Sequence, residues 1–190
     1  LAPMAKVLNE TVGIVRGLLP GRLGAKVRTI FTDVGGYDLA YPADHAAVCE
    51  QLAAEGVAAV WTLPYAHRPG VADSLNRASA ATAAADLAVQ VVAGATVHPG
   101  DDDPVMVVRR AVEDDGARVL KLHCSVGRFD PLDPALVPVW DYVEETRLPV
   151  VVHAGRSPDG VGSGDDLLPL DETARRHPAA RIVIAHCGHD

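Results

Sequence analysis

A chain of 190 residues with 17 basic and 25 acidic side chains carries a formal net charge of −8, which argues against a nucleic-acid partner because phosphate neutralisation needs a basic face. At 48% hydrophobic and 22% charged residues the composition excludes wholesale disorder, no run of 18 apolar residues marks a membrane span, and nothing in the opening residues reads as a signal peptide. Three widely spaced cysteines, Cys49, Cys124 and Cys187, make no disulfide framework and point to a reducing cytoplasm.

Residues 3–19 read as an amphipathic helix carrying Met4, Val7, Leu8, Val12, Val15, Leu18 and Leu19. A glycine-containing connection follows over 20–41, and 43–55 reads as a second helix. From residue 57 one pattern recurs. Short apolar runs start at 58 (AAVWTL), 89 (VQVVA), 118 (RVLKL), 149 (PVVV) and 182 (IVIA), separated by 31, 29, 31 and 33 residues, the length of one strand, loop and helix. These runs lack polar alternation and read as parallel strands covered on both faces. Helices are predicted between them over 71–86, 104–115, 134–146 and about 165–176. Asp101, Asp102 and Asp103 ahead of Pro104 suit a helix N-terminus, and Gly116 suits a helix stop.

Alternating β and α elements imply an α/β fold with a parallel sheet. Five strands suit either an open doubly wound sheet or most of an eight-stranded barrel, and periodicity does not choose. The chain opens on Leu1 rather than Met and stops at Asp190, shortly after an apolar run. It is therefore expected to be a single incomplete domain, an internal piece of a longer protein, with a helical lead-in over 1–56 and repeated β/α units over 57–190.

Four of the eight histidines sit at or just beyond the C-terminal end of a predicted strand: His98 in ATVHPG, His123 in VLKLHC, His153 in VVVHAG and His186 in IVIAHCG. His67 in LPYAHRPG follows the first strand by a few residues, while His45, His177 and His189 have no special position. In a β/α barrel all strand ends converge on one mouth. One histidine there is more often a hydrogen-bonded structural residue than a ligand. Four in register point to a metal site or to proton transfer, since neutral imidazole is a common metal ligand and titrates near neutrality. Lys121 lies two residues before His123 and shares its strand face, where it could form a salt bridge, bind an anionic substrate, form a Schiff base or become carboxylated to bridge two metals.

The segments 59–70, 95–100, 119–130, 149–156 and 181–188 together resemble the amidohydrolase superfamily, in particular its branch of metal-dependent hydrolases that also includes decarboxylases of aromatic and unsaturated acids. VVVHAG followed about 30 residues later by IVIAHCG is the most specific part. The resemblance implies a (β/α)8 TIM-type barrel, of which this chain holds about strands 2–6, with a divalent metal, zinc as a rule and manganese as the alternative, at the C-terminal mouth. It assigns His153 to the strand-5 metal ligand and His186 to the strand-6 histidine, which binds metal or activates the water. Lys121 falls at the strand-4 position that some dinuclear members carboxylate. His123, His98, His67 and Arg156 are left as substrate-binding candidates. No His-x-His pair occurs in the 190 residues, so the family's strand-1 ligands, like its strand-8 aspartate, are missing from this sequence, and the piece by itself is expected to be inactive.

The expected chemistry is hydrolysis of an amide, ester or lactone by an activated water, with metal-dependent decarboxylation on the same fold as the alternative. A Schiff-base lyase working through Lys121 and a non-catalytic α/β domain complete the alternatives. Arg68, Arg128 and Arg156 lie in loops after strands and are equally well read as substrate clamps or as solvated arginines. The loop 157–166 (SPDGVGSGDD) suits a lid at the mouth or an ordinary surface loop, and Cys124 and Cys187 read as small apolar packers. A small-molecule substrate is expected, with no nucleic acid and no membrane, and homo-oligomerisation of the longer protein is allowed. Exposed sheet edges of the isolated piece predict self-association.

Overall fold

The computed structural model describes residues 44–154 and 167–188. The predicted helix 3–19, the connection 20–41, the loop 157–166, Arg156 and His189 lie outside the described residues. In chain order the elements are α1 (His45–Ala54), β1 (Ala59–Trp61), α2 (Ala72–Ala83), β2 (Gln90–Val92), β3 (Gly94–Thr96), α3 (Pro104–Glu113), β4 (Val119–Leu122), α4 (Cys124–Gly127), a 3-10 turn (Pro134–Leu136) leading into α5 (Val137–Thr146), β5 (Pro149–Val152), α6 (Leu167–Arg176), β6 (Arg181–Ile184) and a closing 3-10 turn (Ala185–Gly188). Residue contacts divide the chain into two compact units. The described part of the smaller covers 44–59 and 86–90; that of the larger covers 60–85, 91–154 and 167–188.

Local chemistry sets the helix ends. The Asp44 carboxylate accepts the Ala47 N–H at 2.7 Å to start α1, and Asp103 accepts the Met106 N–H at 3.2 Å ahead of Pro104 to start α3. Gly116 turns the chain out of α3 with φ +74°. The four-residue helix α4, directly after β4, had no signal in the apolar periodicity.

In the larger unit β3, β4, β5 and β6 form a parallel four-stranded sheet in that order, while β1 and β2 make a separate two-stranded pairing. Alternate sheet residues face two different environments. Ala95, Leu120, Leu122, Val150 and Val152 join the hydrophobic core with Val108 and Ala111 of α3 and Val139, Trp140 and Val143 of α5. The residues between them form a row across the other face, in which Thr96 pairs with Lys121, Lys121 with Val151 and Val151 with Val183. Thr96, Lys121 and Val151 are buried as well, so β3, β4 and β5 are covered on both sides as expected, whereas β1, β2 and β6 are partly exposed. At the end of the sheet, Val183 and Ile184 of β6 remain exposed. Among the described residues no helix is long and apolar enough to cross a membrane.

The apolar run at 89–93 extends further than expected and breaks at Ala93 into β2 and β3. The reason is an edge satisfied by side chains. The Gly94 N–H donates to the hydroxyls of Thr62 and Ser79 at 2.9 and 3.1 Å. The buried Asn76 amide of α2 then takes the place of a neighbouring strand, its Oδ1 accepting the Thr96 N–H at 2.7 Å and its Nδ2 donating to the Thr96 carbonyl at 3.0 Å. Removing this amide strands two buried backbone groups. Asn76→Ala is expected to lower stability by about 2–4 kcal/mol, at one to two kcal/mol per orphaned group, read as a lower urea midpoint at unchanged slope.

Candidate functional site

Two residues beyond the row Thr96–Lys121–Val151, the same strand face delivers His98, His123 and His153, with His186 just after β6. Register therefore brings together what lies 25 to 33 residues apart in sequence. The His123 and His153 rings stack with centroids 3.9 Å apart and planes within 14°. The His186 ring meets His153 edge-on at 4.9 Å and 68°. His153 is buried and His186 exposed. His186 also has φ +58°, a left-handed conformation that costs a non-glycine residue about 1–2 kcal/mol. That conformation turns the chain at the strand end where the imidazole reaches its neighbour.

His98 is placed differently. Its Nδ1 accepts the Gly100 N–H at 2.9 Å and its Nε2 lies 3.0 Å from the Gly127 carbonyl, an arrangement that suits a neutral ring protonated at Nε2. Asp101 adds a bond to the His98 N–H at 2.9 Å, and Phe129 packs edge-on at 5.3 Å. Both ring nitrogens of this buried histidine thus hold loops together. His67 is exposed; its pKa is lowered by partial burial, then by the Arg68 charge. Arg68 and Arg128 are exposed too, Arg128 with φ +56° at the end of α4.

Lys121 is 6% exposed. Burial lowers its pKa from 10.5 to about 8, opposed by Cys124, and no carboxylate among the described residues forms an ion pair with it. A buried ammonium without an anion is costly. Cys124 is half-buried and packs against the core, as its position after a strand-end histidine suggested.

One aromatic residue at the strand ends escaped the sequence reading. The ring of Tyr65, in the loop after β1, lies 5.0 Å from that of His123 at a tilt of 54°. Its signal was available in LPYAHRPG, since Tyr65 follows the first apolar run by two residues.

His153 and His186 fit a divalent ion by donor chemistry, as neighbouring imidazoles at adjacent strand ends. They fit as part of its shell. Among the described residues the group of three donors lying within 4.8 Å of one another is elsewhere: Asp141, Glu144 and His177. There two of the three donors already serve the fold. Glu144 accepts the Ala179 N–H at 2.8 Å and bonds His177 Nδ1 at 3.1 Å, and these bonds, the backbone one first, lower its pKa. Beside the His98 loop a cavity of about 470 Å³ opens at the starts of α2 and α3, lined among others by Asp73, Asp101, Asp102, Asp103 and Arg110. Several of its charges are likewise engaged, Arg110 with Asp73 at 3.0 Å and Asp101 with the Gly70 N–H at 2.6 Å.

The family model described as Amidohydrolase matches residues 34–190. An uncharacterised TIM-barrel protein from Bordetella bronchiseptica has a similar crystal structure, with 19% sequence identity and a TM-score of 0.60 over 84% of this chain and 58% of that one. The chain thus spans a little over half the length of that protein, and the likeness shows the fold: a portion of a TIM-type β/α barrel. No curated protein matches the sequence.

Proposed function

The chain belongs to the amidohydrolase family, and from that premise we propose that it carries part of the site of a metal-dependent hydrolase acting on a small molecule. The observation that supports this reading most is the contact series His123–His153–His186 at the ends of β4, β5 and β6. His153 would hold the ion, zinc by preference for imidazole and tetrahedral geometry, with further ligands drawn from the rest of the barrel. Such an ion, when bound, supplies Lewis acidity and brings the pKa of water from about 16 to about 7.

The remaining work falls to side chains of this chain. His186, exposed and edge-on to His153, would accept and return the proton at a ring nitrogen. Lys121, a buried ammonium with no ion-paired carboxylate among the described residues, would draw the negative oxygen of the substrate towards β4. His123 keeps the His153 ring in place by stacking. His98 would act indirectly by shaping the loop at the mouth. His67 and Arg156 remain proposed substrate contacts. The same arrangement suits decarboxylation, for which Lys121 would hold the departing carboxylate. Lys121 also favours a second reading, a Schiff base, because burial makes its free amine accessible near neutral pH.

Elemental analysis of protein from the complete reading frame tests the proposal. About one zinc per chain is expected, falling at least tenfold in His153→Ala, since loss of a direct ligand exceeds the 10–100-fold effect of outer-shell changes. A metal-free, active protein that borohydride and a carbonyl substrate inactivate at Lys121 would overturn it in favour of the Schiff base.

A further inference from the structure

The loop after β1 contains one side chain that the proposed chemistry does not use. Tyr65 is half-buried, with its ring against His123, and His123 is stacked on His153. The backbone around it is pinned. Pro64 precedes it, and the buried Ala66 that follows donates its N–H to Thr96 Oγ1 at 3.0 Å. The Ala66 carbonyl packs beside Gly127, 3.1 Å from where a Cβ would stand. Tyr65 is therefore held against His123 by β3 and α4 together.

From this geometry we infer that Tyr65 is a positioning residue of the strand-end site, setting the ring plane of His123 and, through the stack, that of His153. The inference deepens the proposed function and rests on His153 as a ligand. The physical reason is that an imidazole lone pair lies in the ring plane. A terminal χ2 torsion is broad, so the tilt of the ring decides where a bound ion can sit, and a flat partner 3.9 Å away narrows it. Tyr65 narrows the partner in turn. Its hydroxyl has no part in this; its ring does.

Protein from the complete reading frame, labelled at histidine and assigned with His123→Gln and His153→Gln, provides the test. In metal-free protein, Tyr65→Ala is expected to shift the ring resonances of both His123 and His153, and Tyr65→Phe to leave both where the wild type has them. Titration with Co2+ should show about tenfold weaker binding for Tyr65→Ala and wild-type binding for Tyr65→Phe. Tyr65→Leu, which keeps bulk without a flat face, replaces the alanine variant if that one does not fold. Unchanged His153 resonances in the alanine or leucine variant overturn the inference, as does a phenylalanine variant that behaves like alanine. A wild type that takes up no Co2+ overturns the metal reading instead, while the ring resonances still decide the role of Tyr65.

Discussion

Lys121→Met should make the protein more stable at neutral pH. Methionine fills nearly the same volume on the inner face of β4 without a charge, whereas the lysine is 6% exposed and held to a pKa of about 8 by burial. A fall from 10.5 to about 8 corresponds to about 3 kcal/mol at 1.36 kcal/mol per unit, an upper bound on the gain. The pH dependence follows from proton linkage. Between about 8 and 10.5 the unfolded chain binds a proton that the folded one does not, so this group adds stability as pH rises through that window. Below it the penalty is constant. The advantage of the methionine variant should thus be full at pH 7 and nearly gone at pH 10.5, as read by paired urea melts, in which all other titrating groups cancel. Equal melts at pH 7 would mean that the Lys121 amine finds an anionic partner in the folded protein. On the proposed function, turnover is expected to fall as stability rises.

Gly94→Ala is expected to have the largest effect on folding. A Cβ at this position would stand 2.0 Å from the backbone oxygen of Thr62 and 3.3 Å from Val119 Cγ1. Backbone oxygen cannot swing aside as a side-chain tip can. The strand would have to move and give up the Gly94 N–H bonds to Thr62 and Ser79. Overpacking of this kind costs about 3 kcal/mol or more. Gly116 provides the contrast, with φ +74° but nothing within 4 Å of its missing Cβ. Gly116→Ala should cost only the left-handed penalty of about 1–2 kcal/mol. Thermal melts of the two variants separate steric from conformational need, and a Gly94→Ala protein that melts with the wild type would show that β3 is free to shift.

The sequence by itself determined most of the elements and their order, α4 and the division of β2 from β3 excepted, because strand and helix here follow largely from local pattern. The β-branched runs at 118–122 and 149–152 became β4 and β5 within a residue, and Asp103-Pro104 started α3 where a side-chain oxygen and a missing N–H favour a start. It also put the histidines at strand ends, since a position within a repeat is a local property. The family resemblance carried by VVVHAG and IVIAHCG holds over residues 34–190. What only the tertiary structure decided concerns partners from distant segments. Strand register, not spacing, stacked His123 on His153, and loop contacts with Gly100 and Gly127 set His98 apart. Asn76 became a stand-in for a strand because α2 laid its amide along the open edge of β3. Tyr65 joined the histidines for the same reason: its loop is tied to Thr96 across 30 residues of chain. A side chain's environment depends on what folds over it, and pattern along the chain contains no record of that.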